Sequence, residues 1–182
     1  MASLLDKVQK DMKLSGVTPR SSQARAWLQG QISKLRIPTN RSNLLGDASR
    51  ISARAFIGKM YFFKYDPKGK DTLPVWDKFP LVLPMDIYDD GFLALNLHYL
   101  DPYNRLMLLD RLHDFINNDK YDDSTSFRLS YDLLSGSRKY KMIEPCIKRY
   151  LLSHIRSPLI YIEPNNWETA VFLPTEKMVY RT

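Results

Sequence analysis

The chain has a single cysteine, Cys146, so it cannot build an internal disulfide framework or a cysteine-based zinc site. That usage points to a reducing compartment. Its three histidines, His98, His113 and His154, are not at metal-ligand spacing from one another, and no metal site is expected. No apolar run approaches the roughly 20 residues of a membrane span. The first residues are polar and amphipathic, without a signal-peptide pattern, and no membrane partner is expected. No Gly-x-Ser-x-Gly, His-Glu-x-x-His or phosphate-loop pattern occurs. We therefore expect no enzyme, no catalytic residue and no cofactor. Asp86, Asp89 and Asp90 cluster as a magnesium nuclease would require, but Asp-Asp-Gly is ordinary turn chemistry and is read as such. Cys146 opens an expected helix, where a dipole would favour a thiolate; a small buried apolar residue is the preferred reading.

The sequence does have enough apolar content for a core and a lopsided charge. Of 182 residues, 44% are hydrophobic, which suits one domain, or one domain with an arm. Residues 1–60 hold eleven Lys/Arg against three acids, a surplus of eight that exceeds the net +7 of the whole chain. A basic arm of this kind meets a polyanion or an acidic protein surface. The candidate binding residues are Arg20, Arg25, Lys34, Arg36, Arg41, Arg50 and Arg54. Arg25 and Lys34 share an expected helix with Trp27, Leu28 and Ile32, an apolar stripe that favours a protein partner over a phosphate track.

The expected fold class is α+β. A small curved antiparallel sheet or partial barrel, about 59–98, is packed with several helices. Residues 59–65 and 92–98 carry strand character, and Asp66-Pro67-Lys68-Gly69 and Tyr88-Asp89-Asp90-Gly91 are turns. The Asp90-Gly91 pair signals a hairpin. Pro80 and Pro84 cannot donate to a ladder, so the run between these turns is an edge strand or is bent at Pro84. Helices are expected over 2–14, 20–35, 102–117, 126–135 and 145–155, with Gly136 closing the fourth and a short strand at 158–162. Residues 37–55 lack a sustained period and read as an extended connector. The division expected is a basic arm and connector over 1–57 and a core domain over 58–182. Tyr61, Phe62, Phe63, Tyr65 and Trp76, interleaved with Lys59 and Lys64, resemble a base-stacking platform; core packing is the preferred reading.

The stretches Gly58-Lys59-Met60-Tyr61-Phe62-Phe63-Lys64-Tyr65-Asp66-Pro67-Lys68, Asp71 to Val82 and Gly91 to Leu100 are distinctive. Together with Tyr140-Lys141, Pro145 to Leu151 and Asn166 to Glu176, they resemble a small virion structural protein of T-even-type contractile-tailed phages and their cyanophage relatives. The resemblance spans roughly 20–178 and supplies no catalytic residues. It implies a non-enzymatic assembly role in tail, baseplate or head-to-tail junction, with other phage virion proteins as partners. The DNA-end protector of these phages, acting on double-stranded DNA through the basic N-terminal third, is the alternative. Either role implies manufacture in the host cytoplasm and residence in the virion.

Overall fold

The computed structural model describes residues 10–11, 14–16, 23, 27, 41–100, 104–105, 107–109, 111–112, 132–133, 136, 141, 143–164, 167 and 176–181. Eight strands organise them: β1 (Ile51–Ser52), β2 (Met60–Phe62), β3 (Val75–Asp77), β4 (Leu81–Tyr88), β5 (Gly91–Asn96), β6 (Ile147–Leu151), β7 (Leu159–Ile162) and β8 (Met178–Tyr180). Six form one antiparallel sheet in the order β1-β7-β2-β4-β5-β6, and β3 pairs with β8 as a separate ladder.

The sheet curls on itself. Beyond β2, Tyr65 bridges Ile155, the Asp66 N–H donates to the His154 carbonyl (3.1 Å) and the Arg156 N–H to the Lys64 carbonyl (2.8 Å). The segment joining β6 to β7 therefore binds the same strand continuation, so one bent stretch, 147–162, meets β5 at its start and β2 at its end. Alternation then separates two cores. Tyr61, Phe63, Tyr65, Val82, Phe92, Ala94, Tyr150 and Leu159 form one. Met60, Phe62, Leu81, Leu83, Leu95 and Ile160 face the other way, against Leu44, Leu108, Leu109, Leu112 and Trp167. In the first core Phe63 meets Tyr150 edge-on at 5.4 Å between ring centroids, and Tyr65 meets it at 4.9 Å. Such contacts across non-adjacent strands require the curl. The expected stacking platform is thus core: Tyr61, Phe62, Phe63 and Tyr65 are buried.

Pro84 bends β4 rather than consigning it to an edge. The strand lies between β2 and β5, and its register shifts between Pro84 and Asp86. The carbonyl of Pro84 accepts the Gly58 N–H (3.1 Å), and Gly58 takes a φ of +75°. The β4–β5 hairpin turns on Asp89-Asp90, with Tyr88 opposite Gly91. Gly91 serves a different need from the expected turn. A Cβ there would overlap the Tyr150 carbonyl oxygen on β6. Gly91→Ala is expected to cost about 3 kcal/mol by overpacking, read as a lowered urea midpoint; an unchanged midpoint would contradict the close β5–β6 approach.

The α+β expectation, several helices packed on a small sheet, is corrected. Among the described residues the architecture is mainly antiparallel sheet. Its bounded helical elements are α1 (Arg41–Leu45) and single 3-10 turns. Helical backbone otherwise appears at scattered described positions such as Lys10, Trp27, Arg105, Leu109 and Asp132. The expected helix over 145–155 gives way to a strand. Glu144–Cys146 does begin a helical turn with Pro145 near its start, but the turn stops there and Ile147–Leu151 becomes β6. Five residues cannot separate a 3.6 period from a 2.0 period, and the open edge of β5 decides the outcome. Gly136 is itself helical and closes nothing at that point. Part of the expected connector, 37–55, is α1 and the 3-10 turn Ala48–Arg50 capped by Asp47. Most of 2–14, 20–35 and 126–135 lies outside the described residues.

Candidate nucleic-acid interface

Four of the seven expected binding residues, Arg20, Arg25, Lys34 and Arg36, lie outside the described residues. The other three occupy different settings. Arg41, on α1, stands over the Phe79 ring at 5.0 Å. Arg50 follows the Asp47 cap and pairs with its carboxylate (2.8 Å). The Ser49 hydroxyl, then Arg50, hold the Asp47 carboxyl below its ordinary value. Arg54 is exposed and stands over the Phe56 ring at 4.8 Å.

Around Phe56 the chain builds a compact cationic and aromatic cluster. Leaving β1, the segment 53–59 is pinned at both ends. The Ser52 hydroxyl donates to the Arg54 carbonyl (2.8 Å), the Phe56 N–H donates to the Tyr61 hydroxyl (3.1 Å), and Lys59 N–H returns to the Phe56 carbonyl (3.4 Å). Lys59 Nζ sits between two rings, 5.1 Å from Phe56 and 5.2 Å from Tyr161. Phe56 remains 38% exposed, and the long side chains of Arg54 and Lys59 are exposed beside it. Among the described residues neither cation makes a salt bridge. Burial raises the Tyr161 hydroxyl above its ordinary range, and Glu163 adds to the effect from the end of β7. Aromatic faces and uncommitted cations side by side are suited to nucleic-acid phosphates and bases. Arg54 was legible as charge alone. Phe56, Lys59 and Tyr161 are brought to it by the Gly58 turn and the β1–β7–β2 pairing, which no local spacing announced.

Among the described residues, the carboxylates of the β4–β5 hairpin are tied into local contacts. Asp86 accepts the Ile87 N–H and the Tyr88 hydroxyl (3.0 Å each), and Asp90 pairs with Arg149. Among the described residues no group of three or more His, Cys, Asp or Glu is placed to hold a metal ion. No helix among them is long and apolar enough to cross a membrane. His154 hydrogen-bonds through Nδ1 to the Asp66 carbonyl (2.8 Å), and His113 lies outside the described residues. Cys146 is buried, and burial pushes its thiol up to about 11, away from nucleophilic use.

Among the described residues, a buried polar group centred on Asp77 links β3, β5 and β6. Asp77 Oδ2 meets His98 Nδ1 at 2.6 Å and accepts from Asn96 Nδ2 (3.1 Å), while Oδ1 accepts the Phe79 N–H (3.0 Å). Asn96 Nδ2 also donates to the Tyr150 hydroxyl (3.0 Å). Burial alone would raise the Asp77 pKa, but the His98 bond and charge, with Asn96 and Phe79, outweigh it and hold the carboxyl below 3.8. A carboxyl lowered on folding adds stability above its unfolded pKa and loses it as pH falls through the folded one. We expect the urea midpoint to drop as pH falls below about 4. Asp77→Asn should flatten that dependence; an unaltered acid slope in the variant would contradict the assignment.

The family comparison falls on nearly the whole chain. The model of the phage T4 terminal DNA protecting protein family matches residues 15–182. The chain belongs to that family. No curated protein and no solved structure matches it. The matched region contains all seven expected binding residues and the Arg54–Phe56–Lys59 cluster.

Proposed function

We propose that this protein is a DNA-end protector. It binds the termini of linear double-stranded DNA through its basic N-terminal third and shields them by occupancy, without a reaction of its own. The observation that carries this reading is the match to the terminal DNA protecting family over residues 15–182. The charge surplus of residues 1–60 supports it, as do Arg54 and Lys59, exposed beside Phe56. The same match weighs against the tail or baseplate role that the sequence resemblance had implied. Under this reading the protein is made in the host cytoplasm and resides in the virion on the packaged DNA, where virion proteins are further partners.

The test is an exonuclease challenge. Linear duplex is incubated with protein and then with a processive exonuclease. Full-length product should persist with wild type and be lost when all seven of Arg20, Arg25, Lys34, Arg36, Arg41, Arg50 and Arg54 are changed to Gln. Degradation at the protein-free rate in the presence of saturating wild type would overturn the proposal.

A further inference from the structure

An end-binding protein must tell a terminus from internal duplex, and phosphate contacts cannot do this. The phosphodiesters of internal DNA continue up to a terminus, and contacts to them position a protein without carrying information. What only a flush end presents is the open face of its last base pair, a flat aromatic surface. A protein group that reads it needs an exposed ring, nearby cations for the terminal phosphates, and no crowd of carboxylates. Base–aromatic stacking is sequence-tolerant, as end recognition requires.

Three rings among the described residues are substantially exposed: Phe56, Tyr88 and Tyr180. Tyr88 is committed elsewhere. Its hydroxyl donates to Asp86, and the guanidinium over its ring belongs to Arg149, which pairs with Asp90. With Asp89 at the same hairpin tip, that surface repels phosphate. Tyr180 is 70% exposed at the end of the β3–β8 ladder, and among the described residues no cation stands over it. Phe56 is an exposed ring with cations beside it, and among the described residues no carboxylate pairs with either cation. Arg54 and Lys59 lie over its ring at 4.8 and 5.1 Å, and the backbone on both sides of it is fixed by hydrogen bonds to Tyr61 and within the Gly58 turn.

Resting on the end-binding reading above, we infer that Phe56 is the end-discriminating residue: it stacks on the terminal base pair while Arg54 and Lys59 take the phosphates beside it. In the structure the two cations rest on the ring. A terminal phosphate offers each a full opposite charge in place of a ring quadrupole. Their transfer uncovers the ring face that the base pair then occupies. Ring and cations are thus exchanged as one unit, which explains why they share one short, pinned segment.

The experiment compares two duplexes of identical sequence, one with flush ends and one closed at both ends by hairpin loops. Affinity is read by fluorescence anisotropy at fixed salt. Wild type should favour the open duplex by about 5- to 100-fold, the range of one stacked base. Phe56→Leu should bring the two affinities together while leaving the salt dependence on the closed duplex unchanged. Phe56→Trp should keep the preference. Arg54→Gln with Lys59→Gln should weaken both duplexes and reduce the salt slope by about 2. Phe56 is half-exposed on a loop, so the leucine variant is expected to fold, and its urea midpoint serves as the control. A leucine variant that keeps the wild-type end preference overturns the inference and leaves the end-binding function standing. A wild type that binds neither duplex defeats the function itself, and the inference with it.

Discussion

Raising salt fourfold, from about 50 to 200 mM, is expected to weaken binding to linear duplex by roughly three decades. The magnitude follows from counterion release. Each neutralised phosphate of duplex DNA contributes a log–log slope of about −0.9. Five contacts drawn from the basic residues 20–54, with Arg54 among them, bring the slope to roughly −4.5. Changing any one of these to Gln should lower the slope by about 1 and weaken all duplex sequences alike, since phosphate contacts carry no sequence information. If the same cations instead met acidic protein surfaces, each rim pair would contribute only about 0.2–1 kcal/mol and DNA binding would be weak. Arg50 is the informative exception. Its charge is already shared with Asp47 at 2.8 Å, so Arg50→Gln should change the slope least. A salt slope near zero for wild type would exclude the phosphate-tracking role of the N-terminal third.

The largest expected effect on stability belongs to Asp77→Ala. The change leaves the His98 side chain, 1% exposed, without its carboxylate, and strips the Asn96 amide and the Phe79 N–H of an acceptor. Breaking one side of a buried hydrogen-bonded pair costs about 3–5 kcal/mol, because the partner's desolvation is no longer offset. The loss should appear as a lowered urea midpoint with an unchanged slope. Replacing both partners, with Asp77→Leu and His98→Leu, should cost less than the sum of the single changes, since both remove the same shared interaction. DNA binding at the Phe56 cluster should survive in any variant that remains folded. The site and this network are held by different strands, β1, β2 and β7 in one case and β3, β5 and β6 in the other. Additive single costs would contradict the coupling.

Some of this architecture could be read from residues and some could not, for identifiable reasons. The β4–β5 hairpin announced itself, because alternating apolar residues flank a short acidic turn. Pro84 marked the bend through its missing N–H. β6 did not, since Ile147, Tyr150 and Leu151 fit a helix face as well as a strand, and only the edge of β5 chooses between them. The β3–β8 ladder pairs residues 75–77 with 178–180, too short and too distant for any local signal. A helix start such as Glu144-Pro145 does not say how far the helix runs, and strand pairing ends this one after a single turn. At the candidate site, charge was visible in composition, so Arg54 stood among the expected residues. Phe56 carries no such signal, because a lone phenylalanine between basic residues is ordinary until its exposure and its two cations are known. The resemblance placed the chain among T4-type phages and gave the end protector as its second reading, which the family match favours.

The central claim is that the protein acts at ends, not along the duplex, and end stoichiometry tests it most directly. A fixed mass of linear DNA is cut with a blunt-cutting nuclease into few long or many short fragments, and protein is titrated until exonuclease resistance is complete. The account predicts that the protein required rises in proportion to the number of ends and is independent of total length. A requirement that follows total nucleotides, the same for long and short fragments, would mean the basic third coats duplex nonspecifically and would contradict it.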